Sequence, residues 1–231
     1  MENLPWGTNS ELENEEFYNR KSEILYIKQL LETTSSGTPP TMILPGIRGV
    51  GKTVLLKKIK KEMESDYLVS YSDLTNIYSY QMGKLDEVGL VQYLYKSLMD
   101  SCEEKKFKTL IEKTKNYFKL KKFKISTVVE IGGYPVPIPD TQEDYEELIN
   151  YVLRLPQKLY EEHSNEIKGT IIIIDEFQAL NDLGDKLDGF LWFFRSIIQR
   201  QRNVAYVFSG SLSSKDTIIE KIAGENGAFG G

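Results

Sequence analysis

Apolar residues fall into stretches of two different periods, and the two kinds of stretch alternate along the chain. Residues 20–33 carry Ile24, Ile27 and Leu31 at spacings of three and four, one face of a helix, with Asn19 placed as its N-cap. Ser35, Gly37, Pro39 and Pro40 break that helix, and Met42, Ile43 and Leu44 form a short apolar strand closed by Pro45 and Gly46. Helical spacing resumes over 51–64 through Val54, Leu55, Ile59 and Met63, and 67–74 reads as a second strand. Val88, Val91, Leu94, Tyr95, Leu98, Met99 and Cys102 mark a helical stretch over 86–118. Phe123, Ile125, Thr127, Val129 and Ile131 then alternate with polar residues, a strand period, and a Gly/Pro-rich loop at 132–139 ends it. A helix over 141–161 follows. The β-branched run at 170–174 has no polar interruption, as expected of a strand covered on both faces of a parallel sheet. A helix over 187–201 and a strand over 204–208 complete the series. Residues 1–18 are polar and acidic and read as an extended lead-in, whereas the glycine-rich stretch 224–231 reads as a cut rather than a finished terminus.

Short apolar strands alternating with helices predict an α/β fold of three layers, with a mostly parallel sheet between helices. The 231 residues suffice for one large domain with a full core. The chain is therefore expected to be a single domain, with 1–36 as an N-terminal segment and 37–231 as the core.

Composition narrows the partners. With 34 acidic and 29 basic residues the net charge is −5 and the isoelectric point is about 5.2, which argues against a surface wrapped in nucleic acid. One cysteine, Cys102, excludes an internal disulfide and fits a reducing, cytoplasmic setting. Glu2, Glu11, Glu13 and Glu15 with no apolar run exclude a signal peptide at the start, and no apolar run approaches the roughly 20 residues of a membrane helix.

The chemistry is concentrated in a few places. Gly46-Ile47-Arg48-Gly49-Val50-Gly51-Lys52-Thr53 is a complete G-x-x-x-x-G-K-[ST] phosphate loop between a strand and a helix, and Val54 follows as the first apolar helical residue. Its glycines let backbone N–H groups turn inward around phosphate oxygens, and the helix directs its positive dipole end at the same anion. Lys52 reaches the β- and γ-phosphates, and the Thr53 hydroxyl is a ligand for Mg²⁺. Ile171-Ile172-Ile173-Ile174-Asp175-Glu176 places two carboxylates at the C-terminal end of a buried strand, where parallel sheets hold ligands. Asp175 would hold Mg²⁺ through water, and Glu176 would act as general base on the attacking water. In P-loop ATPases with a catalytic Glu, an additional strand lies between the phosphate-loop strand and the Asp-Glu strand. Val207-Phe208-Ser209-Gly210-Ser211 is the candidate for its end, with Ser209 or Ser211 as the polar sensor of the γ-phosphate.

These motifs, taken with three others, resemble the archaeal-type ATPase family, a branch of the STAND P-loop NTPases related to AAA+ proteins. Pro5-Trp6-Gly7 is similar to that family's Pro-aromatic-x-Gly stretch. Phe17, Arg20 and Glu23 match its F-x-x-R-x-x-E box, and the resemblance implies that Phe17 and Arg20 lie by the nucleotide base, within the 1–36 segment. Arg48 inside the loop, the run Asp175-Glu176-Phe177-Gln178 and the Gly210-Ser211 ending also match. Ala228-Phe229-Gly230-Gly231 resembles the start of an aromatic-Gly-Arg element whose Arg is lacking, and the family's helical lid, winged-helix region and nuclease-like domain are not expected within these residues.

Other conspicuous residues have simpler expected uses. His163 is expected in a solvated loop. No His/Cys/Asp cluster has metal-ligand spacing, so Mg²⁺ would arrive with the nucleotide. Lys119, Lys121, Lys122 and Lys124 among Phe118 and Phe123 suit either edge-strand protection or single-strand binding, the former being favoured. Phe190, Trp192, Phe193 and Phe194 are expected to pack the core, with a partner surface as the less favoured reading; Arg195, Arg200 and Arg202 are candidate arginine fingers that spacing does not separate. Two functions remain in view: a MgATP hydrolase releasing ADP and phosphate, or an ATP-dependent switch with little hydrolysis that moves a C-terminal DNA- or protein-binding domain. DNA would be met only through such a further domain, and oligomerisation is left open. A GTPase is disfavoured by the lack of N-K-x-D, and a small-molecule kinase by the direct Asp175-Glu176 sequence.

Overall fold

A computed structural model describes residues 20–107, 128–131, 134–137, 141–211 and 221. Its centre is a four-stranded parallel sheet of β1 (Thr41–Gly46), β2 (Leu68–Asp73), β5 (Thr170–Asp175) and β6 (Val204–Ser211), in the order β1-β6-β5-β2. The last described strand thus lies between the phosphate-loop strand and the Asp-Glu strand, as anticipated for an additional-strand fold.

Alternation along the strands sorts side chains into two cores. Val69, Ile171, Ile173, Ala205 and Val207 face α1 (Lys21–Glu32) and α2 (Lys52–Met63), which bury Ile24, Ile27, Leu31, Leu55, Leu56, Ile59 and Met63 against them. Leu68, Ile172, Ile174, Tyr206 and Phe208 point the other way. They meet α4 (Glu87–Glu104), α5 (Gln142–His163) and α6 (Leu187–Ile198), which follow the one-turn helix α3 (Tyr78–Gln81). All six residues of β5 are buried, the consequence of a strand covered on both faces.

Helix ends follow local chemistry. Asp86 caps α4 by accepting from Gly89 N at 2.7 Å, and Thr141 caps α5 by accepting from Asp144 N at 3.2 Å. Pro156 lies inside α5, and its carbonyl accepts from Thr170 Oγ1 at 3.2 Å, which ties the helix to the start of β5.

Several expectations change. The helical stretch expected over 86–118 ends at Glu104, and Lys106 beyond it is left-handed at φ 63°. The expected strand over 123–131 is described only as β3 (Val128–Ile131), and it pairs antiparallel with β4 (Tyr134–Pro137), part of the stretch expected as a loop. This hairpin is a separate two-stranded sheet. Residues 177–186, unassigned in sequence, form a 3-10 segment kinked at Gly184 that buries Phe177, Ala179, Leu180 and Leu183. His163 is not in a loop: it closes α5, stacks on Phe107 with ring centroids 3.9 Å apart, and meets Glu166 Oε1 through Nδ1 at 2.7 Å. Asn19, Phe17, the Pro5-Trp6-Gly7 stretch, the lysines of 119–124 and residues 228–231 lie outside the described residues.

Candidate functional site

The loop between β1 and α2 turns on two left-handed glycines, Gly49 at φ 85° and Gly51 at φ 80°, a conformation that costs an L-residue about 1–2 kcal/mol. Gly51 is also the N-cap of α2, so the helix begins at Lys52 with its N-terminus at the loop. Lys52 Nζ donates to Gly46 O at 2.8 Å and to Ile47 O at 3.1 Å, so the ammonium is gathered against the loop's own carbonyls. Ile47 and Arg48 are exposed, and Val54 packs half-buried against the α1–α2 core.

Thr53, in the first turn of α2, donates through Oγ1 to Asp175 Oδ2 at 2.8 Å. Asp175 is wholly buried at the end of β5. Such a carboxylate needs several donors. Tyr71 OH on the neighbouring strand donates to the same Oδ2 at 2.8 Å, and Glu176 N donates to Oδ1 at 2.9 Å. Burial, then the charge of Asp175, pushes the Tyr71 phenol well above its ordinary range, so it stays a donor. Thr53 and Asp175 are hard oxygen groups in contact, the donor set that suits Mg²⁺.

Glu176 leaves the sheet in a left-handed conformation, φ 53° and ψ 43°, unusual for a residue with a Cβ. Gln178 Nε2 donates to its Oε2, while Gln178 Oε1 accepts from Ser211 N at 3.1 Å. Tyr80 is near by: its phenol is held above its ordinary range by burial, then by the charges of Asp182 and Glu176, with Arg48 acting in the opposite sense.

A family model described as an ATPase domain predominantly from Archaea matches residues 17–228. The chain belongs to that family. This ATPase domain is similar in fold to a Walker-type ATPase of Pyrococcus abyssi, with 22% identity, a TM-score of 0.53, and coverage of 85% of this chain and 46% of that one. It therefore spans about half the length of that relative. The ORC2 protein of Aeropyrum pernix, solved as ADPNP–ADP complexes, aligns at 15% identity and a TM-score of 0.41 over 84% of this chain and 41% of its own. No curated protein matches significantly. Among the described residues, no helix is long and apolar enough to cross a membrane.

Within the ATPase domain the sequence-derived site residues from Gly46 to Val54 converge with Asp175 and Glu176 at the C-terminal ends of β1 and β5. The two candidate sensors differ. Ser209 is fully buried level with Leu44, and its hydroxyl has no partner among the described residues. Ser211, half-buried and level with Gly46, stands at the strand end where the phosphate loop begins. Arg20 lies against the loop rather than apart from it: its guanidinium donates to Val50 O and, at 3.5 Å, to Gly51 O, and pairs with Glu23 at 3.7 Å. Arg195 lies over the Trp192 ring at 5.4 Å. Arg200 and Arg202 precede β6, at the opposite end of an eight-residue strand, roughly 25 Å from the loop end. Neither can serve its own chain as a finger. Phe190 and Phe194 are buried as expected, whereas Trp192 is exposed.

Tyr71 was not legible as a partner of Asp175. The signal for Tyr71 exists only once register is known: Asp73 pairs with Asp175 and Tyr71 with Ile173, which brings the phenol beneath the carboxylate.

Proposed function

We propose that this ATPase domain binds MgATP and hydrolyses it to ADP and phosphate. The carrying observation is the 2.8 Å hydrogen bond between Thr53 Oγ1 and Asp175 Oδ2, which joins the phosphate loop to the buried acidic strand. The loop's N–H groups and the start of α2 bind the phosphates, and Lys52 exchanges its bonds to Gly46 O and Ile47 O for phosphate oxygens. Thr53 and Asp175 would hold Mg²⁺, which supplies charge neutralisation on the β- and γ-phosphates. Glu176 accepts a proton from water as its oxygen bonds to the γ-phosphorus. The bond from that phosphorus to the bridging oxygen breaks, and its electron pair leaves with ADP. Ser211 serves as the polar residue of β6 facing the reacting phosphate, in preference to the enclosed Ser209. Arg20 holds the loop through its carbonyls at Val50 and Gly51, and the family resemblance implies that Arg20 and Phe17 would lie by the nucleotide base.

The test is Glu176→Gln, which removes the proton acceptor but leaves Asp175, Thr53 and Lys52 in place. MgATP affinity by calorimetry is expected to persist while phosphate release is lost. Parent-like turnover would remove Glu176 from the chemistry. A parent that binds MgATP stoichiometrically and never turns over would instead identify a nucleotide switch.

A further inference from the structure

We propose that Gln178 is a positioning residue that aims the Glu176 carboxylate and ties its aim to the end of β6. The proposal rests on Glu176 being the base of the reaction above.

The carboxamide of Gln178 makes two bonds of opposite sense. Its oxygen accepts from Ser211 N at 3.1 Å and its nitrogen donates to Glu176 Oε2. A backbone N–H can only donate and a carboxylate only accepts, so the orientation of the amide is fixed by its two partners. Rotating it by half a turn would place N–H against N–H and oxygen against carboxylate. The side chain is therefore a rigid strut between two strands that both end at the phosphate loop.

Gly210 makes room for it. A Cβ at Gly210 would stand 2.9 Å from Gln178 Oε1, closer than such atoms approach, while the backbone nitrogens of Gln178 and Phe177 would be at an ordinary 3.7 and 3.9 Å. A Cβ at position 210 could be accommodated only if this carboxamide moved, whereas the surrounding backbone would leave it room. The left-handed turn at Glu176 completes the arrangement, because it sends the chain back so that residue 178 faces the carboxylate of residue 176.

A displacement of the β6 end is passed to the base through one amide. Ser211 adjoins Gly46 in register, so the strand end is a place where phosphate contact and base position meet. Gln178 touches no reacting atom in this scheme; its effect is on where Glu176 points.

The experiment measures single-turnover hydrolysis of MgATP by the full chain in excess, with MgADP affinity by calorimetry in parallel. Gln178→Ala is expected to lower the saturated rate by ~10–100-fold, the cost of a misdirected catalytic group, with MgADP affinity within about twofold of the parent. Gln178→Glu keeps the length and the acceptor for Ser211 N but sets a carboxylate against Glu176, and is expected to lower the rate at least as far. It also decides the matter if the alanine variant does not fold. Gly210→Ala should reproduce the loss alone, yet change the rate by less than about twofold in the Gln178→Ala background, where no carboxamide remains to collide. Parent-like rate in Gln178→Ala, loss of MgADP affinity in step with rate, or losses that multiply in the double variant would each overturn the proposal. Those results leave the base assignment standing so long as Glu176→Gln is inactive. Full turnover by Glu176→Gln would overturn both.

Discussion

Tyr71→Phe isolates one hydrogen bond to the buried aspartate. Asp175 collects three donors: Thr53 Oγ1 and Tyr71 OH at 2.8 Å each on Oδ2, and Glu176 N at 2.9 Å on Oδ1. The substitution removes one donor and leaves ring volume unchanged. A hydrogen bond to a charged group contributes about 1.5–3 kcal/mol, so stability at neutral pH should fall by that amount. For a chain of this size that is a drop in melting temperature of roughly 3–12 °C. The pH dependence carries a second signature. In the parent, burial and then Asp175 hold the Tyr71 phenol above its ordinary value, whereas the unfolded chain ionises at about pH 10. Above pH 10 the native state binds more protons than the unfolded state, so stability declines as pH rises, by about 1.4 kcal/mol per pH unit from this phenol. Below pH 10 both states hold the proton and this group contributes no slope. Tyr71→Phe should therefore be less stable than the parent at pH 7 but flatter in the alkaline limb, and the two curves should converge. Urea unfolding followed by circular dichroism from pH 7 to about pH 11 measures both effects. Equal stability at pH 7, or an alkaline slope identical to the parent's, would refute the assignment of Tyr71 as a donor to Asp175.

Lys52→Ala should abolish measurable nucleotide binding, because it removes the ammonium that the loop holds beside Gly46 and Ile47; unchanged affinity by calorimetry would disprove the loop's role. Gly51→Ala should cost about 1–2 kcal/mol in unfolding experiments, since φ 80° is strained for any side chain, and should weaken MgADP binding as well. Competition between nucleotides should favour ATP over GTP, and preference for GTP would contradict an adenine site beside the N-terminal segment.

The strand–turn–helix around residues 46–53 and the apolar strand ending in Asp175-Glu176 were legible because each is a continuous run with a distinctive spacing. The helix over residues 51–64 and the strand over 170–174 were likewise read nearly to their ends, because one is strongly periodic and the other wholly apolar. What lay hidden depends on register and on close approach. Tyr71 is an ordinary strand aromatic until its strand is set beside β5. Gln178 could be named as part of a motif, but its two partners lie on different segments. Ser209 and Ser211 are equivalent in sequence and separated only by depth. The segment after Glu176 escaped because a kinked 3-10 stretch has neither helical nor strand periodicity. The Tyr134–Pro137 strand was hidden by its prolines, which sequence reasoning assigns to loops.

The strand order also dictates when this molecule can assemble during its synthesis. β1 is made early, yet its neighbour is the last of the described strands, with Thr41 beside Tyr206. When residue 175 emerges, β5 can pair with β2, but β1 has no sheet partner. Until residues 204–211 follow, the parallel sheet exists only as one unpartnered strand and the β2–β5 ribbon, each with open edges. Closure by β6 then joins the two in a single late step, and that step also brings Ser211 level with Gly46. Folding to a nucleotide-competent state should consequently be all-or-none with respect to translation of this strand. Ribosome-stalled chains that stop before residue 204 should be protease-sensitive and fail to retain nucleotide, while chains with residue 211 outside the exit tunnel should resist.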